Sequence, residues 1–142
     1  MKTTAQNGKR IFAFRLDAHS GVPVYRQIID QVMAGTASGA LAAGDQLPTV
    51  RQLAVDLSIN PNTVIRAYRE MEIRGVLETH QGSGTFLSNR KVKVDETERR
   101  RGLRQLAGEV AARAGEAGFS VKELLRELNE YQAESEDLDK RR

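Results

Sequence analysis

The chain has 142 residues, 39% of them hydrophobic and 29% charged, and a formal net charge of +3. This length allows one compact domain with a smaller appendage and excludes two full ligand-binding domains. The absence of cysteine excludes disulfides and cysteine-based metal sites, and no apolar run approaches the roughly 18–20 residues of a membrane-spanning helix. We expect an intracellular, cytoplasmic protein with no membrane segment. Because so small an excess of positive charge does not indicate nucleic-acid binding by itself, the argument depends on where individual arginines lie.

Residues 1–47 contain, in order, a polar tail, a strand pattern, a helix pattern and a loop. Residues 1–10 are polar and aperiodic, which predicts a flexible tail. From Ile11 to Asp17 apolar and polar residues alternate, which predicts a short strand. Apolar residues then recur at helical spacing from Pro23 to Thr36, and proline suits the first turn of a helix. We expect Leu41–Leu47 to be a loop.

Two short amphipathic helices occupy the centre of the sequence. The spacing of apolar residues predicts helices over Thr49–Leu57 and Asn62–Ile73, with Thr49 as an N-cap and 58–60 as the turn. Two helices joined by about three residues are typical of the helix-turn-helix, whose second helix lies in the DNA major groove. The strand-like runs Val76–Thr79 and Thr85–Ser88 then flank a glycine-rich tip, as in a wing. We therefore predict a mainly α winged helix-turn-helix domain with a small β wing over 11–88.

The last third of the chain has no proline and is rich in Glu, Arg, Ala and Leu. Periodicity predicts a helix over Thr97–Ala117, and the pair Ser120 and Glu123 forms a capping box that begins another. We predict a C-terminal helical hairpin over 89–138 and a charged tail over 139–142. So short a hairpin cannot bury its apolar stripes alone. It must pack on the first domain or on a second copy, and we expect it to form a homodimer.

Several polar residues of the motif are candidates for contact with double-stranded DNA. Asn60, Asn62 and Thr63 lie where recognition-helix side chains meet base edges, and Arg66 could reach guanine or a phosphate. The alternative is that the two asparagines only cap the helix. Arg51 begins the preceding helix, which crosses the sugar-phosphate backbone in this motif, so a phosphate contact is expected; the alternative is a surface ion pair.

The wing tip, His80 to Gly84, is the third candidate contact with DNA. Its glycines allow close approach to a phosphate ridge or a minor groove. It is not a nucleotide phosphate-binding loop, because it lacks the Gly-Lys-Ser/Thr ending and joins two strands. The two histidines, His19 and His80, have no nucleophile or metal-ligand spacing. We therefore expect no catalytic site, metal or cofactor, and no enzyme activity; the sequence contains no residue cluster for a small-molecule effector.

Four motifs in order resemble the GntR family of bacterial winged-helix repressors. They are Gly-Val-Pro-Val-Tyr-Arg-Gln-Ile (21–28), Gly-Asp-Gln-Leu-Pro-Thr-Val-Arg-Gln-Leu-Ala (44–54), Asn-Pro-Asn-Thr-Val-Ile-Arg-Ala-Tyr (60–68) and Gln-Gly-Ser-Gly-Thr-Phe-Leu (81–87). The 54 residues after Ser88 are too few for the large effector domains of most subfamilies. A short two-helix tail resembles the YtrA-type subfamily, where it serves dimerisation.

The resemblance implies roles for individual residues of the motif. It implies a phosphate contact for Arg51, base or phosphate contacts for Asn60, Asn62 and Thr63, and a wing whose Gly82 lies near the minor groove. Gln81, beside it in the tip, is a further candidate contact with DNA. Two positions depart from the family. Pro61 replaces an arginine that reads a base in many relatives, and Arg66 could partly substitute for it. His80-Gln81 replaces an arginine before the first glycine of the wing.

The leading hypothesis is a homodimeric, sequence-specific DNA-binding transcriptional regulator, a repressor on an inverted-repeat operator. The alternative is a winged-helix module that binds another protein and has no specific DNA binding. The exposed arginines Arg51 and Arg66 favour the first hypothesis.

Overall fold

The computed structural model describes residues 12–89 and 95–140. The predicted tail 1–10 lies outside the described residues. The chain divides into two compact units, Met1–Arg90 with Ser135–Arg142, and Lys91–Glu134. The elements in order are α1 (Val24–Ser38), β1 (Gln46–Leu47), α2 (Val50–Leu57), α3 (Pro61–Ile73), β2 (Leu77–His80), β3 (Gly84–Leu87), α4 (Glu96–Glu116) and α5 (Val121–Lys140).

The core of the first unit lies where α1 and α2 both pack against α3. Its fully buried side chains come from all three helices and include Ile28, Val32, Leu53, Val64 and Met71. On each helix the buried side chains recur every three or four residues, so one face of the helix is buried and the other is exposed. The predicted helices are therefore observed, with ends that differ by one or two residues.

Residues 12–17 do not form a strand, so the prediction of a strand there was wrong; Ile11 lies outside the described residues. The alternation still separates the two sides of this segment, because Phe12 and Phe14 are buried in a T-shaped pair with ring centroids 5.0 Å apart. The backbone bonds that a neighbouring strand would supply come from two α1 side chains. Gln31 accepts from Arg15 N–H at 2.8 Å and donates to the Arg15 carbonyl at 2.7 Å.

Gln27 makes the matching pair of bonds one helical turn earlier in α1. Its Oε1 accepts from Asp17 N–H at 2.8 Å, and its Nε2 donates to the Asp17 carbonyl at 2.9 Å. A side-chain amide has the same donor and acceptor as a peptide unit. The two glutamines, which we call the glutamine clamp, therefore pair with the segment 12–17 as strand residues would.

Gly35 is buried inside α1, where glycine usually weakens a helix. A Cβ at this position would lie 2.6 Å from Cε2 of Phe12. The ring of Phe12 thus occupies the space that any side chain at position 35 would need. Gly35 is required by packing and does not mark the helix end, which comes at Gly39 in the left-handed conformation (φ 82°).

Hydrogen bonds fix the start of α2, the first helix of the helix-turn-helix. Thr49 is the N-cap of α2 and accepts from Gln52 N–H at 3.1 Å, as predicted. The hydroxyl of Tyr68, on α3, donates to the buried carbonyl of Pro48 at 2.6 Å and so ties α3 to the start of α2. Burial raises the pKa of the Tyr68 phenol far above its ordinary value. The phenol therefore stays protonated and remains a donor.

The three strands form an antiparallel sheet in the order β1-β3-β2. The wing hairpin pairs β2 with β3, and Thr79 lies opposite Thr85. The remaining strand, β1, has only two residues and lies in the segment predicted to be a loop. The sheet is joined to α3 by a bond of 2.6 Å from the Thr79 hydroxyl to the carboxylate of Glu72. The predicted winged helix-turn-helix is confirmed.

The second unit contains α4 and most of α5. The predicted capping box is present, because Glu123 accepts from the Ser120 N–H at 2.7 Å and the Ser120 Oγ accepts from Glu123 N–H at 3.1 Å. The predicted C-terminal helical region is therefore present. Within the described residues α4 and α5 do not pack along their lengths, but near their junction Val110, Phe119 and Leu124 line one cavity. No helix of the described residues is long and apolar enough to cross a membrane.

Candidate nucleic-acid interface

The outer face of α3 carries the candidate base-reading residues. Because Val64, Ala67, Tyr68 and Met71 are all buried, the residues between them project from the opposite side of the helix. One shallow depression on that opposite side is lined by the half-buried Glu70 and by five exposed side chains: Asn62, Ile65, Arg66, Arg69 and Ile73. The helix therefore presents amide, guanidinium and aliphatic groups together, which are the types that contact base edges and thymine methyl groups in a major groove.

The two asparagines at the start of α3 have different structural roles. Asn60 is the N-cap, and its Oδ1 accepts from the Asn62 N–H at 2.9 Å. The capping interpretation is therefore correct for this oxygen. The side chain of Asn62 is exposed, and that of Thr63 is half-buried. Of these three side chains, that of Asn62 is therefore the most available to bind a base.

Arg51 lies in the first turn of α2 and is exposed. An arginine at a helix N-terminus gains nothing from the helix dipole, which favours anions there. Within residues 12–89 and 95–140, no carboxylate forms an ion pair with Arg51. The surface ion pair that was the alternative interpretation is therefore absent from the described part of the chain, and Arg51 is available for a phosphate.

Arg66 stacks on an aromatic ring of another helix. Its Cζ lies 3.7 Å from the centroid of the Tyr25 ring, on α1. The sequence predicted Arg66 as a DNA contact and assigned no role in binding to Tyr25. Nothing local to either position indicates the pair, because only the packing of α1 on α3 brings them together.

Acidic side chains beside this surface are bound to other parts of the winged unit. Glu70 pairs with Arg74 at 2.5 Å, Glu72 accepts from Thr79, and Glu78 accepts from Ser88 Oγ at 2.9 Å. Among the described residues, no carboxylate pairs with Arg66 or Arg69. The outer face of α3 therefore keeps its positive charge, which attracts phosphate.

The wing tip is an exposed turn closed by a bond of 2.9 Å from Ser83 N–H to the His80 carbonyl. Gln81 and Gly82 are both exposed, and Gly82 has the left-handed φ of 82° that favours glycine. At Gly84 (φ 124°) a Cβ would lie 2.5 Å from Nε2 of Gln46, which donates to the Ser83 carbonyl at 3.1 Å. The short strand β1 therefore helps to shape the tip.

The structure places the predicted site residues on three elements of the winged unit. Arg51 lies on α2, Asn60 to Arg66 on the cap and first turns of α3, and Gln81 with Gly82 at the tip of the wing. Two residues were missed, Tyr25 and Ile65. An exposed isoleucine on the polar side of α3 was the available signal for Ile65. Among the described residues, no three His, Asp or Glu side chains are grouped to hold a metal ion.

Comparison with known proteins identifies the family. Residues 24–87 match the family described as bacterial regulatory proteins, gntR family. The chain is 37% identical over 112 residues to the uncharacterized HTH-type transcriptional regulator YhcF of Bacillus subtilis, covering 79% of this chain and 92% of that protein. It is 45% identical over 74 residues to the HTH-type transcriptional repressor YtrA of the same organism, covering 52% of this chain and 57% of YtrA.

A solved structure extends the likeness beyond the winged unit. The YtrA protein of Sulfolobus acidocaldarius, described as a GntR-family transcription factor, superposes with a TM-score of 0.51 at 31% identity, covering 70% of this chain and 97% of that one. These relatives are described as transcriptional regulators and not as enzymes. The sequence-based assignment to the family and to its YtrA-like members is confirmed. The chain belongs to the GntR family of bacterial regulatory proteins.

Proposed function

We propose that this regulator acts as a cytoplasmic homodimer that represses transcription by binding an inverted-repeat operator. In this proposal the winged domain, 11–88, reads DNA, and the helical region, 89–138, joins two copies. One observation carries the proposal: the outer face of α3 exposes Asn62, Arg66 and Arg69 with no acidic partner among the described residues. A buried or neutralised face at this position would favour a protein partner instead.

The contacts divide by chemistry into those that position the protein and those that select a sequence. Arg51, at the start of α2, contacts a phosphate and contributes equally to all sequences. Asn62 and Thr63 face base edges, where an asparagine pairs bidentately with adenine, and Asn60 contributes its Nδ2 while its Oδ1 caps the helix. Specificity in this proposal comes mainly from the first turns of α3.

Two further groups complete the proposed contact with the duplex. Arg66 reaches guanine or a phosphate from the second turn of α3, and the tip residues Gln81 and Gly82 approach the neighbouring minor groove. Both tip residues are exposed. Because neither carries a charge, the wing adds little to the salt dependence of binding.

Dimerisation is supported by the apolar faces of α4 and α5. Within the described residues these helices do not pack along their lengths, and large apolar side chains on them and on the turn between them are exposed: Leu103, Leu106, Phe119, Val121, Leu125, Leu128 and Tyr131. Exposed apolar side chains in this number are typical of a protein interface. A second copy presents the same faces, as a twofold dimer requires, and it places two recognition helices on half-sites about one helical turn apart.

A gel-shift series with the purified full-length protein tests the proposal. The protein should bind the DNA upstream of its own gene in preference to random DNA. Its affinity should fall steeply as the salt concentration rises, because phosphate contacts release counterions. Binding with no preference over random DNA would refute the proposed function and favour a protein-binding module.

A truncated protein tests the role of the C-terminal helices. Ending the chain after Asn89 should yield monomers with lower affinity for DNA; a truncated protein that still sediments as a dimer would refute that role.

Substitutions test the division of labour between the arginine of α2 and the asparagine of α3. Arg51→Ala should weaken binding to all sequences alike and lower the salt slope by about 1, whereas Asn62→Ala should relax preference at particular positions, at a cost of about 1–3 kcal/mol. The control is Arg99→Ala, which removes an exposed arginine from α4. Equal and sequence-blind losses for Arg51→Ala and Asn62→Ala would contradict the assignment.

A further inference from the structure

We propose that Tyr25 is a positioning residue for operator binding, whose ring holds the guanidinium of Arg66 in place to contact DNA. This inference rests on the proposed function, in which Arg66 is a DNA contact. It starts from the stacking of Arg66 on Tyr25, with Cζ 3.7 Å from the ring centroid. Tyr25 lies on α1, and it adds a second element to the recognition surface.

The ring of Tyr25 is a fixed support. Tyr25 is in the first turn of α1, is half-buried and packs against the hydrophobic core. The buried side chains Ile28 and Ile29 follow it on the same helix, and α1 packs directly on α3. Arg66 itself is exposed. The contact therefore joins a side chain anchored in the core to one that faces solvent.

Stacking suits an arginine that must later bind an acceptor. A cation–π contact uses the flat face of the guanidinium and leaves its N–H donors free in the plane of the group. An ion pair would instead occupy those donors and cancel the charge. Ordering the long side chain before binding also reduces the conformational entropy that is lost when the complex forms.

Glu70 could form an ion pair with Arg66 but is bound to another arginine. It lies four residues after Arg66 on α3, within reach of an ion pair, yet it pairs with Arg74, four residues further on. An acid that precedes its basic partner by four residues is the better orientation on a helix. Arg74 thus holds the carboxylate, and Arg66 remains stacked on Tyr25 with no hydrogen-bonded or ionic partner among the described residues.

A double-mutant cycle in the full-length protein distinguishes positioning from simple packing. The probe is a duplex selected from random DNA by the wild-type protein, and the dissociation constant is measured at one salt concentration. Tyr25→Leu should weaken binding about 10-fold, while Tyr25→Phe, which keeps the ring, should stay within about twofold of wild type. In the Arg66→Gln background, Tyr25→Leu should add less than about twofold, because the side chain it positions is gone.

Arg66→Lys provides a second test that leaves the core untouched. Lysine keeps the charge but has no planar group to stack or to present a fork of donors. We expect a loss of about 10-fold, which Tyr25→Leu should not deepen. In the free protein, NMR should show the side-chain protons of Arg66 shifted upfield by the ring and restored to ordinary positions in Tyr25→Leu.

Each contrary result identifies which inference fails. If Tyr25→Leu binds like wild type, or weakens binding equally with and without Arg66, then Tyr25 does not act through Arg66. If wild type selects a sequence but Arg66→Gln binds equally well, operator binding stands and the role of Tyr25 is wrong. If wild type selects no sequence, the proposed function and this inference fall together. If the Arg66→Lys variant binds the selected duplex as tightly as wild type, the inference is also overturned.

Discussion

In the winged unit, α1, α2 and α3 bury their apolar side chains against one another, whereas α4 and α5 leave most of theirs in solvent. Phe14 is fully buried, but Phe119 is 59% exposed. The same residue type thus stabilises the fold in one region and remains available for association in the other. The winged unit has an internal hydrophobic core, while the helical region has a capping box at the start of α5 but little core.

The two regions therefore depend on different things for stability. The winged unit should unfold with a free energy that does not depend on protein concentration, because its core is internal. In the proposed dimer the helical region should gain stability as concentration rises, since association of two copies would cover its apolar faces. The substitutions below test this difference, from the largest expected effect to the smallest.

Replacing the buried phenylalanine should have the largest effect. Phe14→Ala removes a fully buried ring from beside Phe12 and should lower the free energy of unfolding by about 3–5 kcal/mol. Urea unfolding of dilute protein measures the loss. The matched control, Phe119→Ala, should cost about 1 kcal/mol or less. Similar losses at the two positions would refute the contrast between the regions.

An exposed leucine of α5 should matter for association. Leu125 is 54% exposed, and Leu125→Ala should raise the dissociation constant of the dimer roughly 10- to 100-fold, about 1.4–2.8 kcal/mol, because an apolar contact is lost from the proposed interface. Sedimentation over a dilution series measures it. Ile73→Ala is the control, since Ile73 is also apolar and is 80% exposed on α3. An unchanged constant for Leu125→Ala would place the interface elsewhere.

The hydroxyl of Tyr68 should contribute less than the ring of Phe14. Tyr68→Phe leaves the buried carbonyl of Pro48 without its donor and should cost about 1–2 kcal/mol. The raised pKa of Tyr68 gives the effect a direction with pH: the stabilisation is complete below the ordinary pKa of tyrosine, about 10, and declines as the pH rises above it. Denaturant unfolding between pH 8 and pH 11 should show this decline in wild type and not in Tyr68→Phe.

The capping box of α5 should give the smallest effect and the opposite dependence on pH. Hydrogen bonds from the Ser120 N–H and hydroxyl hold the pKa of Glu123 below its ordinary value. The stabilisation is therefore present above that ordinary value and is lost as the pH falls through the lowered pKa. Circular dichroism should show less helix at acidic pH in wild type, and this change should shrink in Glu123→Gln. If Glu130→Gln behaves identically, the box is not the cause.

Local chemistry made the helix starts predictable. Thr49 and Ser120 were identified as caps because a hydroxyl accepts a backbone N–H only two or three residues away, and the sequence contains both partners. The helix-turn-helix followed from apolar spacing within each helix. The exposed positions of Arg51 and Asn62 followed in turn, since they are the residues that this spacing leaves outside.

Features that depend on distant residues were not predictable. The alternation over 12–17 correctly separated buried from exposed side chains but could not show that glutamine side chains, and not a strand, would pair with its backbone. The two-residue β1 is too short for any period to show. The contact between Tyr25 and Arg66 requires the packing of two helices, which neither residue indicates alone.

The glutamine clamp gives the protein a scaffold that responds differently to ionic strength than its binding surface does. Bonds between neutral amides carry no net charge, so added salt screens them little, whereas contacts between arginines and phosphates weaken steeply. Salt should therefore release the protein from DNA while residues 12–17 stay attached to α1. A salt titration of affinity consequently counts the contacts with the duplex and is not confounded by loss of the fold.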